Sequence, residues 1–258
     1  VEQRNTYSSA AAGAIAQNVY LYAASAGLAT VLRGWIDRSA IAKADVSAEN
    51  IWGVADEDLF GLALREIDAR ALRGERVFAH VMTTSNHRPF TYPEGRIDIP
   101  SGSGRAGAVK YTDWAIGKFV DAARTKPWFD DTLFVFVADH TSIARGRSDL
   151  PMERYHIPMV IYAPAHLAPQ RIDTRASQID VAPTLLGLLN LAYTSEFFGQ
   201  DVLRDGAGDP HVFMANYQTV GFVDEDLLIE LRPKQATRAL AMAHVQAPAD
   251  EARHARDE

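Results

Sequence analysis

The pattern of apolar and polar positions divides the chain into alternating strand-like and helical segments. Residues 132–138 form the longest unbroken apolar run, rich in β-branched and aromatic side chains, and predict a strand buried on both faces. Runs at 76–84 and 157–162 predict two further strands, and a last strand pair is expected at 212–216 and 227–231. Helical spacing of apolar residues predicts helices at 10–30, 38–44, 56–72, 108–124 and 179–189. This order favours an α/β fold with a mostly parallel sheet flanked by helices and a helical N-terminal segment.

The helix at 108–124 has the clearest pattern. Its expected buried face consists of Val109, Ile116, Phe119, Val120 and Ala123.

Three acidic residues, Asp56, Glu57 and Asp58, open the helix that ends near residue 72. A metal site is one interpretation of such a cluster. The other, which we prefer, is that acidic side chains in the first turn interact favourably with the helix dipole.

Composition and charge exclude several classes of function. The net charge of -7 argues against a nucleic-acid or anionic-membrane partner. Without cysteine, the chain has no disulfides, thiolate metal sites or cysteine nucleophiles. No apolar run reaches the roughly 18 to 20 residues of a membrane span, and no signal peptide precedes Val1, so we expect a soluble, processed or excised chain.

Polar side chains follow two of the predicted strands, at the edge where α/β sheets bind ligands. Asp139 and His140 come directly after the strand at 132–138, and a carboxylate beside an imidazole suits a divalent metal. The alternative is a capping aspartate and a loop histidine. His87 and Arg88 follow the strand at 76–84, where they could bind an anionic substrate or form a polar loop shaped by Pro89.

Several motifs together resemble one family. They are Ser-Asn-His-Arg-Pro-Phe at 85–90, Val-Ala-Asp-His at 137–140, Ile-Pro at 157–158 and Asp-Val-Ala-Pro-Thr-Leu-Leu at 180–186. The set resembles the sulfatase-like branch of the alkaline phosphatase superfamily, in particular the lipoteichoic acid synthase and phosphoglycerol transferase group. Residues 52–60 and 198–203 fit the same group, so the resemblance covers about 46–235.

The resemblance implies roles for individual residues. Asp139 and His140 match ligands of a single divalent ion, usually manganese in this group. His87 matches a histidine that faces the phosphoglycerol head group, and Arg88, His156 and Arg145 are further candidates on the substrate side. The implied substrate is a phosphoglycerol lipid or a similar anionic ester, with a sulfate ester as the other possibility. The implied location is the extracytoplasmic or periplasmic side of the membrane.

The family's threonine nucleophile and remaining acidic ligand come from strands that precede the position of Trp52. We do not find them here, and nothing distinguishes Thr83, Thr84 or Thr141 as a nucleophile, so the catalytic nucleophile stays unknown. We therefore expect a metal-dependent phosphoglycerol transferase or sulfatase-like hydrolase that is inactive as this chain.

A second resemblance leads to a different function. Residues 11–21, 26–31 and 33–35 are similar to a flavin-dependent nitroreductase, which implies FMN as the cofactor of an oxidoreductase fragment. A third interpretation is a non-catalytic, chimeric α/β scaffold. On this basis we divide the chain into a helical segment at 1–45, a sulfatase-like domain at 46–247 and a polar tail at 248–258.

Overall fold

A computed structural model describes residues 29–31, 46–141, 150–194, 196–204, 211–216, 218–225 and 227–241. The chain divides into two compact units between Thr132 and Leu133. The helix predicted at 38–44 and the tail at 248–258 fall outside the described residues, as do Arg145 and the proposed boundary at residue 45, so these stay predictions.

The first unit combines two helices with short strands. Its elements are β1 (Ala29–Val31), β2 (Glu49–Asn50), β3 (Gly53–Val54), α1 (Asp56–Ala71), β4 (Val77–Ala79) and α2 (Arg105–Ala123). β1 pairs with β4 in parallel, and β2 and β3 form an antiparallel hairpin.

Of the helix predicted at 10–30, residues 10–28 lie outside the described residues, and the last two belong instead to the strand Ala29–Val31. Thr30 and Val31 are β-branched, and the three residues pair with Val77–Ala79, which favours an extended chain over a helical one.

Helices α1 and α2 confirm two predicted elements and pack against each other. Phe60 of α1 stacks on Phe119 of α2 with ring centroids 4.9 Å apart. α1 ends at Ala71, and Gly74 then adopts a φ of 71°, a conformation that glycine tolerates.

The buried face of α2 agrees only in part with the expected one, since Ala123 is buried and Phe119 packs on Phe60 of α1 as expected. Val109 is 48% exposed, and the buried residues are Gly107, Ala108, Tyr111, Ala115 and Ala123. Tyr111 stacks on Tyr92 of the preceding loop at 4.8 Å. A Cβ at Gly107 would lie 2.3 Å from the Tyr92 hydroxyl oxygen, so small residues on this face let the loop approach closely. A sequence pattern based on large apolar residues does not reveal a helix face that is built mainly from glycine and alanine.

An ion pair joins α1 to the segment after α2. Lys126 Nζ lies 2.6 Å from Asp68 Oδ2, and Trp128 Nε1 donates a hydrogen bond of 2.8 Å to Asp68 Oδ1. The hydrogen bond from Lys126, which has the largest effect, and the hydrogen bond from Trp128 lower the pKa of Asp68 below its ordinary value.

The second unit contains a strand pair, a helix and an antiparallel sheet. Its elements are β5 (Phe134–Val137), β6 (Met159–Tyr162), α3 (Val181–Leu188), β7 (His211–Ala215), β8 (Val220–Asp224), β9 (Leu227–Arg232) and β10 (Ala236–Ala241). The sheet has the order β10-β9-β8-β7, and its inner face packs around Leu150, Met214, Val223 and Leu228.

The strands at the predicted positions differ in detail from the expectation. β5 pairs antiparallel with β6, and Val137 is 42% exposed, because a two-stranded ladder covers little of either face. β4 spans only three residues of 76–84, and the side chain of its Phe78 is exposed. The strands expected at 212–216 and 227–231 form, but β8 lies between them. Apolar runs predict strands but do not specify their partners.

We predict a pH-dependent stability contribution from Asp68. Folding lowers the pKa of Asp68 below its ordinary value of 3.8. The contribution of the carboxylate to stability is therefore fully present above pH 3.8 and is lost as the pH falls through the lowered pKa of the folded state. Asp68→Asn should lower the free energy of unfolding in urea by about 0.5–1.5 kcal/mol at pH 7. The difference should shrink below about pH 4. Asp121→Asn, in the exposed pair with Arg124, is the control and should change stability little. An equal effect of Asp68→Asn at both pH values would contradict the prediction.

Candidate functional site

The Ser-Asn-His loop is held in place by the buried carboxylate of Asp56. Asp56 is 0% exposed, and its Oδ1 accepts hydrogen bonds from the backbone N–H of Thr84 (2.8 Å) and Ser85 (3.0 Å). Its Oδ2 accepts a bond of 2.7 Å from the Thr112 hydroxyl of α2. The Asp56 N–H in turn donates to the Ser85 hydroxyl at 3.2 Å. One side chain at the start of α1 therefore connects the loop to both helices.

This network explains the first of the three acidic residues of α1. Asp56 serves a structural role beyond the helix dipole, since it satisfies buried donors of another segment. Glu57 forms an ion pair with Arg96 at 2.8 Å, and Asp58 accepts hydrogen bonds from Ser47. Both carboxylates therefore have protein partners, which disfavours the metal-site interpretation of this cluster.

His87 projects from a tightly bonded turn. Its N–H donates to the Thr84 carbonyl at 3.0 Å, and its own carbonyl accepts from the Phe90 N–H at 2.7 Å. The Arg88–Pro89 peptide bond is cis. The side chains of His87 and Arg88 are exposed, as both the substrate-binding and the polar-loop interpretation expect.

The hydrogen bonding of His87 determines its tautomer. Its Nδ1 lies 3.1 Å from the Arg88 carbonyl oxygen. A carbonyl only accepts, so Nδ1 carries the hydrogen and Nε2 of the neutral ring has a lone pair.

Arg105, which the sequence patterns did not single out, lies beside the same loop. Its guanidinium carbon is 5.0 Å from the Phe90 ring centroid, and its Nη1 is 3.5 Å from Asn86 Oδ1. Arg105 is the first residue of α2 and is separated from Phe90 by a long loop, so no local pattern could have linked them.

Asp139 and His140 follow β5, as predicted, and their side chains form a close pair. Asp139 Oδ2 lies 3.2 Å from His140 Nε2, and both side chains are about 70% exposed. Asp139 Oδ1 accepts a bond of 2.8 Å from the His140 N–H, which is the local capping contact that the alternative interpretation expected.

Neighbouring residues hold the backbone of this pair. The Gln178 amide donates to the carbonyls of Ala138 (3.0 Å) and Asp139 (2.8 Å). The Thr141 hydroxyl donates to the Arg154 carbonyl. The segment after β5 is thereby bonded to two other segments of the same unit.

The donor set of Asp139 and His140 suits a cation. His140 Nδ1 lies 2.7 Å from the Thr141 carbonyl, so it carries the hydrogen, and Nε2 of the neutral ring presents a lone pair to Asp139 Oδ2. Two acceptors at this distance repel each other unless a proton or a cation lies between them. A carboxylate oxygen and an imidazole nitrogen fit a divalent ion such as Mn²⁺ as two of its ligands.

Within the part of the chain that the structure describes, no further ligand joins this pair. Over the described residues, no group of three or more His, Asp or Glu side chains could hold a metal ion. Two of the threonines that are candidate nucleophiles have hydroxyl groups bonded to the backbone. Thr84 donates to the Val54 carbonyl at 3.2 Å, and Thr141 donates to the Arg154 carbonyl.

His156 is exposed and precedes β6, and its proposed substrate role stays a prediction. His87 and Arg88 belong to the first unit, and Asp139, His140 and His156 to the second.

The motif at 180–186 is structural. Asp180 is 2% exposed, and its carboxylate accepts from the N–H groups of Ser177 (2.7 Å) and Gln200 (2.8 Å). Thr184 accepts from the Val202 N–H at 3.1 Å. A Cβ at Gly199 would lie 2.1 Å from the Ile179 carbonyl oxygen. The motifs at 180–186 and 198–203 therefore hold each other, and the second requires glycine at its contact point.

Comparison with known proteins gives a consistent result. The sulfatase family model matches residues 3–191, so the match runs through the segment that resembles a nitroreductase. Phosphoglycerol transferase I of Xanthomonas campestris pv. campestris is 26% identical over 163 residues, which are 60% of this chain and 23% of that protein. Lipoteichoic acid synthase 2 of Bacillus subtilis is 24% identical over 184 residues, or 62% of this chain and 28% of that protein. The chain thus spans less than a third of the length of these relatives.

Solved structures confirm the α/β, alkaline-phosphatase-like fold class. A protein in the alkaline phosphatase superfamily from Vibrio parahaemolyticus aligns with a TM-score of 0.71 at 32% sequence identity. The alignment covers 76% of this chain and 49% of that protein's chain. The lipoteichoic acid synthase LtaP of Listeria monocytogenes aligns with a TM-score of 0.56 at 21% sequence identity, and the alignment covers 75% of this chain and 55% of that one. No helix in the described ranges is both long enough and apolar enough to cross a membrane.

We predict that Asp56 stabilises the first unit. Asp56→Ala leaves the backbone donors of Thr84 and Ser85 and the Thr112 hydroxyl without this acceptor, and should lower the free energy of unfolding by about 3–5 kcal/mol. Asp113→Ala replaces an exposed aspartate of α2 and should change it by less than about 0.5 kcal/mol. Urea unfolding of both variants measures the difference. Equal, small effects would show that the carboxylate does not organise the loop.

Proposed function

The chain belongs to the sulfatase family, and from this premise we propose that it carries part of the site of a phosphoglycerol transferase-like enzyme. The proposed substrates are phosphodiesters of phosphoglycerol lipids, with related sulfate esters as the alternative. The observation that carries the proposal is the arrangement of Asp139 Oδ2 and His140 Nε2, 3.2 Å apart, with Nδ1 hydrogen-bonded to Thr141.

Asp139 and His140 would hold a divalent ion, for which we propose Mn²⁺. The ion, when bound, would neutralise negative charge on the phosphoryl oxygens of an ester. The Gln178 amide keeps the Asp139 backbone in place, and the Thr141 carbonyl keeps the His140 ring turned so that Nε2 faces the carboxylate. Such outer contacts orient metal ligands.

His87 and Arg88 would bind the anionic head group, with His156 as a further candidate. The exposed Arg88 guanidinium has the donors that match a phosphate. His87 offers Nε2, which accepts from a glycerol hydroxyl when neutral and donates to a phosphate oxygen when protonated. The names of the relatives support phosphoglycerol as the substrate class, and we propose the extracytoplasmic side of the membrane as the location.

The described residues supply only part of such a site. Two ligands bind a divalent ion weakly, and the threonine hydroxyls of Thr84 and Thr141 are engaged in structural bonds. We propose that this chain does not supply the nucleophile or the remaining ligands, and that the chain alone turns over little or no substrate.

We predict Mn²⁺ binding that depends on the exposed pair. Titration followed by the electron paramagnetic resonance of free Mn²⁺ should show weak binding to the wild-type chain. Asp139→Asn or His140→Gln should lower the affinity on the order of 10- to 100-fold, because each removes a direct ligand. The matched controls Asp131→Asn and His80→Gln change other exposed side chains and should bind as the wild type does. Equal affinity in all five proteins would refute the assignment.

We also predict low turnover of a chromogenic phosphatidylglycerol analogue. The purified chain with saturating Mn²⁺ should release product no faster than Asp139→Ala does, because no activated nucleophile is supplied. Robust Mn²⁺-dependent turnover that Asp139→Ala abolishes would contradict the predicted inactivity while supporting the metal site.

A further inference from the structure

Trp52 contacts the His87 loop in two ways. Its ring centroid lies 3.8 Å from that of His87, with the planes tilted by 43°, and its Nε1 donates a hydrogen bond of 2.7 Å to the Arg88 carbonyl. Trp52 is nevertheless 48% exposed. A tryptophan that contributes mainly to a core would be more deeply buried, since its stabilising effect grows with the apolar area removed from water.

The hairpin that carries Trp52 is fixed on both sides. The Trp52 N–H donates to Asn50 Oδ1 at 2.8 Å, and the Asn50 amide donates to the Thr91 hydroxyl at 3.2 Å. On the other side, Gly53 has a φ of 154°, and a Cβ there would lie 3.5 Å from the Thr84 side chain. The hairpin thus contacts residues just before and just after the loop, and the indole has a defined position.

The Arg88 carbonyl is a shared acceptor for Trp52 and His87. Its oxygen has two lone pairs, and it receives the indole N–H at 2.7 Å and His87 Nδ1 at 3.1 Å. The indole bond keeps this carbonyl turned toward Nδ1, and the indole face covers one side of the imidazole. In the described part of the chain no hydrogen bond engages His87 Nε2, so that edge remains open to a ligand.

From these contacts we propose that Trp52 is a positioning residue for His87. Through the Arg88 carbonyl it holds the hydrogen on Nδ1, and through ring packing it directs Nε2 toward a glycerol phosphate head group. The choice of ligand rests on the proposed function, whereas the effect of Trp52 on the imidazole does not.

The test combines two Trp52 variants with a matched control. Trp52→Phe keeps an aromatic ring but loses the indole N–H, and Trp52→Leu loses both contacts. Trp128→Phe removes a different indole bond, to Asp68, in the same unit. The ¹⁵N resonances of the His87 ring report its tautomer, and titration with glycerol phosphate reports binding.

In the wild type we expect the tautomer with hydrogen on Nδ1 and binding of glycerol phosphate. Both Trp52 variants should shift the His87 nitrogens toward a mixture of tautomers, and loss of the indole bond should weaken binding about five- to tenfold. Trp128→Phe should leave both measurements unchanged. A purely structural role of Trp52 would not move the tautomer in a variant whose amide spectrum is otherwise native.

The outcomes separate the two proposals. A wild type that does not bind glycerol phosphate, but whose His87 tautomer changes in Trp52→Phe, supports the positioning role and counts against the proposed ligand. Unchanged His87 nitrogens in a folded Trp52→Phe or Trp52→Leu variant overturn the positioning role, whatever the binding result. If Trp52→Leu fails to fold, Trp52→Phe alone decides.

Discussion

The fully buried carboxylate of Asp56 is the constraint on which the first unit depends. A buried charge is costly unless it is hydrogen-bonded, and Asp56 meets this condition only because Thr84, Ser85 and Thr112 direct donors at it. The same bonds determine where the chain leaves the end of its predicted strand and turns into the Ser-Asn-His loop. The exposed His87 therefore owes its position to a residue that is itself fully buried.

The second unit uses the same arrangement. Asp180, almost fully buried, holds the backbone at Ser177 and Gln200, while the exposed Asp139 and His140 present their side chains to solvent. The acidic and histidine residues of the family motifs thus divide into two groups. The buried members satisfy backbone donors and shape loops, and the exposed members are available for ligands. Burial separates the groups, although both contain aspartates.

The sequence predicts much of this because apolar runs and strand ends are local features. The strand before Asp139 and the helices α1, α2 and α3 follow from such patterns. Strand partners do not, since the apolar run at 134–137 has the same composition in a parallel or an antiparallel pair. Contacts between distant segments also escape local patterns: the bonds of Trp52 to Arg88 and of Asp56 to Thr84 span about thirty residues. The apolar pattern identifies only part of the buried face of α2, because most of the fully buried side chains there are small.

The central claim is that the exposed pair Asp139 and His140, and not the buried carboxylates, binds the metal. Paramagnetic broadening of the amide NMR signals by substoichiometric Mn²⁺ tests it most directly, because the broadening falls steeply with distance from the ion. We expect the signals of Asp139, His140 and Thr141 to disappear first, and to persist when Asp139→Asn is titrated in the same way. Broadening centred on Asp56 or Asp180, or broadening that is unchanged in Asp139→Asn, would contradict the account.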